Sequence, residues 1–290
     1  MPLYYEESDH RGEETRVQPS GAAFDAGIET WVAEQRTPWA RLKYAVTAAN
    51  LRRHLGDGPL RILDAGGGNG ADSLPLAAQG HSVTIVDYSE AMLGHAEHQA
   101  TAEGLRERVV LHRAELRALP ILLSPASFDL VLCHNVLQYV DDVPQLLDVL
   151  IHALAPAGVL SLLSVNRYAL PYRAAFLYGD LDAACAALDE RRHPALIFGE
   201  AMTTEYSADE VLSLLPAAGC TVLADYGIQC ITPYWGDNER KAAPVVYAQL
   251  ERLELALTAR HPYKLLARYF QIVARKGQHP PAIQTEEGTR

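Results

Sequence analysis

The 290-residue chain lacks several features that would assign it to a specialised class of protein. No apolar run approaches the roughly 20 residues needed to span a bilayer. The polar, acidic stretch 1–15 has neither the basic start nor the apolar core of a signal peptide. The four cysteines form neither a CxxC pair nor a metal-type spacing, so we expect free thiols and no metal site. These absences predict a cytoplasmic protein with no membrane partner.

Basic residues are also scarce. The chain has 25 Lys and Arg against 36 Asp and Glu, which gives a formal net charge of −11. This balance argues against tight, non-specific nucleic-acid binding, because such binding needs a basic surface. The clusters Arg52-Arg53 and Arg191-Arg192-His193 are candidates for local basic patches, and solvated helix ends are the alternative interpretation.

Strand and helix patterns alternate along most of the sequence. The predicted strands are 60–65, 82–86, 109–111, 128–133, 159–165, 221–231 and 267–274. The predicted helical segments are 22–54, 72–78, 89–102, 143–154, 181–192, 208–218 and 242–260. Strands separated by helices of this length imply right-handed crossovers. The predicted fold class is therefore α/β, with a doubly wound, mostly parallel, seven-stranded, Rossmann-like sheet.

The alternation is interrupted after the fifth predicted strand. Residues 167–205 are rich in aromatic residues and arginine around an alanine-rich helical centre. We expect a helical insertion there, within one domain that spans 21–277. The polar ends, 1–20 and 278–290, are predicted to be a flexible arm and a flexible tail.

A glycine-rich loop, DAGGGNG, begins at Asp64 between a predicted strand and a predicted helix. Gly66 and Gly68 allow a sharp turn and the close approach of a ligand to the main chain. With Ala71 they also fit a dinucleotide-binding loop, but Asp64 would repel a pyrophosphate. The same carboxylate suits the cationic amino-acid end of S-adenosylmethionine. Asp87 closes the second strand, where an acid can accept both ribose hydroxyls in either case.

Two further motifs narrow the choice. They are FDLVLCHNVLQYV, which begins at Phe128, and the turn Leu154-x-Pro156-x-Gly158. With the glycine loop, they resemble the class I S-adenosylmethionine-dependent methyltransferases. The resemblance implies an enzyme that uses S-adenosylmethionine and yields S-adenosylhomocysteine.

The resemblance also implies a set of cofactor contacts. The expected cofactor-binding residues are Arg41 (or Lys43), Asp64, Gly66, Gly68, Asp87, Tyr88, Met92, Ala114, Glu115 and His134. Asp64 and the glycines would surround the methionine moiety, and Asp87 would hold the ribose. Tyr88 and Met92 would flank the adenine. Many family members have an acidic residue at the position of Ala114, so a main-chain contact is expected here.

A closer resemblance runs from about 24 to 276. Its motifs are Leu63-Asp-Ala-Gly-Gly-Gly68, His134-x-Val-Leu137, Gly158-Val-Leu-Ser-Leu162, Asn166, His261-Pro-Tyr-x-x-Leu-x-Arg-Tyr269 and Ala274-Arg-Lys276. They are similar to those of the bacterial tRNA methyltransferases that esterify the carboxylate of carboxymethoxyuridine at the wobble position. This resemblance implies a carboxylate acceptor.

Other features of the sequence favour a small-molecule acceptor. The insertion has no lysine-rich run, and Gln229 stands on the sixth strand where a basic residue would serve RNA. The leading hypothesis is therefore O-methylation of a carboxylate or hydroxyl on a metabolite. The alternatives are tRNA carboxyl methylation and a non-enzymatic protein that binds S-adenosylmethionine.

The acceptor chemistry determines which side chains are catalytic candidates. A carboxylate is ionised at neutral pH and needs no base, but it needs arginines or hydroxyls to orient it. A hydroxyl or amine acceptor would need a base, for which His134 is the first candidate, although a structural role is the alternative. The predicted catalytic residues are His134, Arg167 and Tyr168. Further candidates on the acceptor side are Arg173, Arg268, Tyr172, Tyr234 and Tyr269.

Overall fold

The computed structural model describes residues 21–194 and 202–277, so the predicted arm 1–20 and tail 278–290 lie outside the described residues. The strands are β1 Arg61–Ala65, β2 Ser82–Asp87, β3 Val109–Arg113, β4 Phe128–His134, β5 Leu154–Val165, β6 Arg192–Pro194, β7 Met202–Thr204, β8 Cys220–Ile228 and β9 Tyr269–Lys276. The helices are α1 Gly21–Gln35, α2 Pro38–Arg52, α3 Leu74–Ala78, α4 Glu90–Ala102, α5 Leu119–Leu122, α6 Val143–Ala153, α7 Ala169–Arg173, α8 Leu181–Asp189, α9 Ala208–Leu214, α10 Asn238–Ala242 and α11 Pro244–Leu257.

The main sheet has seven strands in the order β3-β2-β1-β4-β5-β9-β8. Neighbours from β3 to β5 pair in parallel, and β9 pairs antiparallel with both β5 and β8. The predicted doubly wound, mostly parallel sheet is therefore confirmed. The strand order reverses between β1 and β4, and open α/β sheets bind ligands at such a switch point, beyond the carboxyl ends of the strands.

The two faces of the sheet carry separate apolar cores. Leu63 and Val131 point to one face, where they pack in the same cluster as Leu147 of α6. Ile62 and Leu130 point to the other face, which α2 and α4 cover. Because adjacent residues of a strand face opposite sides, a strand covered on both faces is a continuous apolar run. This explains why the sequence pattern located β1 and β4 well.

The insertion after β5 combines α7, a π-helical turn at Ala174–Tyr178, α8 and the antiparallel pair β6–β7. The alanine-rich pattern predicted the helix, but it did not indicate the two short strands. Asn166 holds the start of the insertion against the segment that precedes β9, because its side-chain amide donates to the carbonyl oxygens of Leu265 and Ala267 at 2.9 and 2.8 Å. The insertion therefore lies over the carboxyl edge of β5.

The N-terminal helices cover the same edge from the other side. Thr37 caps α2, with its hydroxyl accepting from the Ala40 N–H. The Asp25 carboxylate of α1 accepts from the hydroxyl of Ser89, the N-cap of α4, at 2.5 Å. Among the described residues, no helix is both long and apolar enough to span a membrane.

Candidate functional site

A cleft opens at the carboxyl ends of β1, β2, β4 and β5, between the N-terminal helices and the insertion. Its lining includes Phe24, Trp31, Gln35, Tyr44, Asp64, Gly66, Gly67, Gly68, Asn69, Asp72, Asp87, Met92, His134, Gln138, Tyr139, Arg173, Glu205, Arg268 and Tyr269. The residues come from segments far apart in the chain because the parallel strands end together at this edge.

The glycine loop forms the floor of the cleft. Gly66 and Gly68 have φ angles of 72° and 53°, in the left-handed region that favours glycine. A Cβ atom on Gly66 would stand 2.5 Å from Cγ2 of Val136, and a Cβ atom on Gly67 would stand 2.4 Å from Cγ of Asp64. Only glycine therefore lets the loop fold this closely over the Asp64 carboxylate.

Asp64 is 1% exposed, and its Oδ2 has no hydrogen-bond partner among the described residues. Burial, together with the nearby charge of Asp72, raises the pKa of Asp64 to about 7. A buried carboxylate without a counter-charge is costly, so this position favours a cationic ligand. The assignment of Asp64 to an ammonium group stays a prediction, for which this environment is suitable.

Asp87 has a different environment at the end of β2. Its two carboxylate oxygens accept from the Gly68 N–H and the Ser89 N–H, each at 2.9 Å. Burial raises its pKa, although these hydrogen bonds oppose the shift. The bonds fix the carboxylate beside the cleft, and each oxygen keeps a lone pair free for a hydroxyl donor.

The predicted adenine contacts separate into two groups. Met92 lines the cleft, and the Tyr88 ring lies behind Phe24 with 5.4 Å between the ring centroids. Ala114 and Glu115 do not line the cleft. The N–H of Ala114 donates to the Asp87 carbonyl at 3.0 Å, which makes it part of the support for Asp87, and Glu115 is exposed and paired with Arg117.

The two cationic candidates of α2 also differ. Arg41 is exposed and lies over the Tyr247 ring at 5.8 Å, away from the cleft. Lys43 is buried behind the cleft wall, with its Nζ 4.2 Å from the centroid of the Tyr44 ring and 5.5 Å from that of Tyr269. Burial acts to lower the pKa of Lys43, but Tyr44, Tyr269 and Asp72 together raise it, so the ammonium stays charged.

His134 lines the cleft at the end of β4, and both of its ring nitrogens have close neighbours. Nε2 lies 2.9 Å from the Ser161 hydroxyl, and Nδ1 lies 3.2 Å from Asp72 Oδ1. Burial acts to raise the pKa of Asp72, but His134 and then Lys43 outweigh it and lower the pKa. The Gln271 amide donates to the same Ser161 oxygen at 3.2 Å. This geometry favours an orienting role for His134 over that of a free base.

The structure does not bring the other two predicted catalytic residues to the cleft. Arg167 pairs with Glu210 at 3.4 Å, and the Tyr168 hydroxyl donates to Asp209 at 2.8 Å. Tyr168 is 41% exposed. Both side chains turn away because the chain bends at Asn166 and directs them towards α9. Of the arginine candidates, Arg173 and Arg268 line the cleft instead.

Arg173, from the insertion, and Arg268, which precedes β9, also line the cleft. The Nε atoms of both are buried without a hydrogen-bond partner among the described residues. Burial, and then the charge of Arg268, lower the pKa of Arg173. Burial acts to raise the pKa of Tyr269, but Arg268, Lys43 and Arg173 lower it overall. Both side chains are half-buried, and two such guanidinium groups lining one cleft form a site for an anion.

Sequence reasoning missed several residues of the cleft. Asp72 follows the glycine loop by two positions, so a search for acids at the strand edge would have found it. Gln35 and Asn69 exchange amide hydrogen bonds of 3.2 and 2.7 Å, which tie α1 to the loop, and nothing in the sequence pairs them. Glu205 comes from the insertion, where no motif identifies it. Among the described residues, no group of acids, histidines and cysteines could hold a metal ion.

Comparison with known proteins agrees with this geometry. Residues 62–158 match the methyltransferase domain family. The chain is 31% identical over 248 residues to the tRNA 5-carboxymethoxyuridine methyltransferase of Escherichia coli (strain K12), an alignment that covers 83% of this chain and 91% of that relative.

Solved structures share the fold. An S-adenosylmethionine-dependent methyltransferase from Mesorhizobium loti matches with a TM-score of 0.56 and 24% identity, covering 80% of this chain and 98% of that chain. The 1,6-didemethyltoxoflavin-N1-methyltransferase of Burkholderia thailandensis, solved with bound S-adenosylhomocysteine, matches with a TM-score of 0.55 and 19% identity, covering 94% and 98%.

The cleft, the fold and these relatives lead to one assignment. The methyl donor is S-adenosylmethionine, for which the buried Asp64 carboxylate, whose Oδ2 has no partner among the described residues, and the left-handed glycines form a fitting floor. The chain belongs to the class I S-adenosylmethionine-dependent methyltransferases, in the family that includes the E. coli tRNA 5-carboxymethoxyuridine methyltransferase.

Proposed function

We propose that this enzyme transfers a methyl group to a carboxylate, and that the acceptor is 5-carboxymethoxyuridine in tRNA. The observation that carries the carboxylate is the pair Arg173 and Arg268, which line the cleft and whose buried Nε atoms have no hydrogen-bond partner among the described residues. A guanidinium fork matches a carboxylate better than any other side chain does. The tRNA acceptor is supported by the E. coli relative, which aligns over most of both chains.

The donor end of the cleft is assigned to the cofactor. Asp64 would face its ammonium group, Asp87 would accept from the ribose hydroxyls, and Met92 would lie beside the adenine. When bound, S-adenosylmethionine supplies an electrophilic methyl group on a sulfonium. The side chains of this chain hold and orient both partners and exclude water from between them.

The reaction needs no general base in this proposal. An oxygen of the acceptor carboxylate forms the new O–C bond while the C–S bond breaks, and the electron pair of that bond stays on sulfur. The product is a neutral ester, and no proton leaves the acceptor. His134, held between Ser161 and Asp72, then serves as an oriented wall of the cleft.

The test is methyl transfer from isotopically labelled S-adenosylmethionine to tRNA that carries unesterified carboxymethoxyuridine. We expect the label in the methyl ester of that nucleoside after nuclease digestion and mass spectrometry. The matched variant is Asp87→Ala, which should transfer little label to the RNA because its binding of S-adenosylmethionine is weakened. Absence of label with the unaltered chain, when calorimetry shows that the same preparation binds S-adenosylmethionine, would contradict the tRNA assignment.

A small-molecule carboxylate is the second candidate, and the charge of the protein favours it. The net charge is −11, and the region of α8 carries the acids Asp180, Asp182, Asp189 and Glu190. Acidic surface repels RNA phosphates. Incubation with labelled donor and a nuclease-treated metabolite extract would place the label in a small, base-labile ester if this candidate is right.

A further inference from the structure

Glu205 is a buried acid on the acceptor side of the cleft that the methyl-transfer reaction does not use. It follows β7 in the insertion, is 7% exposed and lines the cleft. Its Oε2 has no hydrogen-bond partner among the described residues. Its backbone is fixed, because its N–H donates to the Arg191 carbonyl at 2.9 Å. A buried carboxylate oxygen without a partner needs an explanation in function.

The charges that act on Glu205 come from two other elements. Arg173 lies on α7, and Arg268 precedes β9. Burial is the largest effect and raises the pKa of Glu205 to about 7, although the charges of Arg173 and Arg268 both act to lower it. The other titratable groups that line the cleft include Asp64, Asp72, Asp87, His134, Tyr139 and Tyr269. On β6, the strand paired with β7, His193 stands opposite Thr203.

The arginine pair needs an anion in every state of the reaction. Uncompensated charge in a buried site is costly. The acceptor carboxylate supplies the negative charge before methyl transfer, but the product ester is neutral. Glu205 Oε2 and the Nε atoms of Arg173 and Arg268 have no hydrogen-bond partner among the described residues, so these atoms do not bond to one another, yet all three side chains line the same cleft.

We propose that Glu205 is the resident counter-ion of the arginines in the acceptor site. Glu205 takes up a proton when the substrate carboxylate binds, and it becomes ionised again beside the arginines once the neutral ester has formed. This inference rests on the proposed carboxylate acceptor. Two carboxylates that share one site cannot both stay ionised at low cost, so one must bind a proton. Glu205 would thus act as a specificity-determining residue, because a neutral acceptor would not displace its charge.

The sign of the pH dependence follows directly. The bound acceptor anion raises the pKa of Glu205 above its value of about 7 in the free enzyme. Acceptor affinity is therefore complete below about pH 7 and is lost as the pH rises through the pKa of the complex, by up to about tenfold per pH unit. Replacing Glu205 with a neutral isostere should remove this dependence.

The experiment compares Glu205→Gln with Glu205→Asp and the unaltered chain. The acceptor is an anticodon stem-loop RNA that carries 5-carboxymethoxyuridine, and kcat and KM are measured from pH 6 to pH 8.5. For the unaltered chain and E205D, we expect KM to rise above pH 7. For E205Q we expect a flat KM, about tenfold lower than that of the unaltered chain at pH 8.

Calorimetry gives a second readout that does not depend on turnover. Acceptor RNA is titrated into protein saturated with S-adenosylhomocysteine at pH 7.5, in buffers of different ionisation enthalpy. The unaltered chain should take up about three-quarters of a proton on binding, because about a quarter of Glu205 is already protonated at this pH, and E205Q should take up none. The measurement on the unaltered chain tests the inference even if E205Q does not fold.

The outcomes separate the two proposals. Methylation of the RNA together with a pH-independent KM and no proton uptake would overturn the role of Glu205 alone. An E205Q variant whose KM rises at every pH, as expected for loss of an arginine, would show instead that Glu205 positions the arginines. Absence of RNA methylation and binding by the unaltered chain would overturn the proposed function, and the counter-ion with it.

Discussion

The donor and acceptor halves of the cleft are built in different ways. In the donor half, Asp87 accepts two backbone hydrogen bonds, and its supports lie between 64 and 114 in the sequence. In the acceptor half, Arg173, Glu205 and Arg268 come from separate segments and present polar atoms without partners among the described residues. A donor site that serves one cofactor can be preformed, whereas we propose that the acceptor site is completed by the substrate's own charge.

The largest effect is expected from breaking the acceptor half alone. Arg268→Ala or Arg173→Ala should lower kcat/KM for the acceptor by about 100-fold to 1,000-fold, because one member of a buried charge cluster is removed. The affinity for S-adenosylmethionine should change less than about twofold, since the donor half is untouched. Steady-state kinetics and calorimetry measure the two quantities.

Arg167→Ala is the matched control for these variants. Arg167 pairs with Glu210 outside the cleft, so its loss should leave kcat/KM within about twofold of the original value. If R167A and R268A lost kcat/KM for the acceptor equally, the insertion would act through its fold and not through a carboxylate site.

The next effect is in the donor half. Asp87→Ala removes the acceptor of the Gly68 and Ser89 N–H groups as well as the ribose contact. We expect the Kd for S-adenosylmethionine to rise about 10-fold to 100-fold, because hydrogen bonds to a charged group are lost. Glu90→Ala, which removes an exposed acid paired with Arg113, is the control. Calorimetry giving an unchanged Kd for D87A would refute the ribose assignment.

The pH dependence of donor binding should oppose that of acceptor binding. The pKa of Asp64 is about 7 in the free enzyme, and a bound ammonium group would lower it. Donor affinity is therefore complete above about pH 7 and falls by up to about tenfold per pH unit below it. Titrations from pH 5.5 to pH 8 test this, with Asp64→Asn as the variant that should bind more weakly and without the slope. A flat profile for the unaltered chain would place the ammonium group elsewhere.

The smallest effect concerns the boundary between the two halves. Lys43→Met should weaken donor and acceptor binding by only a few fold, because Lys43 acts from behind Tyr44 and Tyr269. Arg41→Ala should change neither, since Arg41 lies over Tyr247 on the exposed side of α2. A loss of donor binding in R41A that exceeds the loss in K43M would restore Arg41 as a cofactor contact.

The sequence by itself determined the fold and located Asp64, the glycine loop and Asp87 at the edge of the sheet where the cleft opens. Central parallel strands must be apolar on both faces, so β1 and β4 were visible as continuous runs. Asp64, the glycines and Asp87 were visible because local chain geometry forces glycine into left-handed turns and places acids at strand ends. All of these constraints act between residues close in the chain.

Only the tertiary structure decided the acceptor half. The sequence favoured Arg167 over Arg173 and Arg268, but the bend at Asn166 directs Arg167 towards Glu210, while Arg173 and Arg268 line the cleft. Nothing local marks Glu205, because the charges that act on it lie on α7 and before β9. Side chains that meet only where distant segments converge have no periodicity or spacing to reveal them, since their proximity is fixed by packing and not by neighbouring residues.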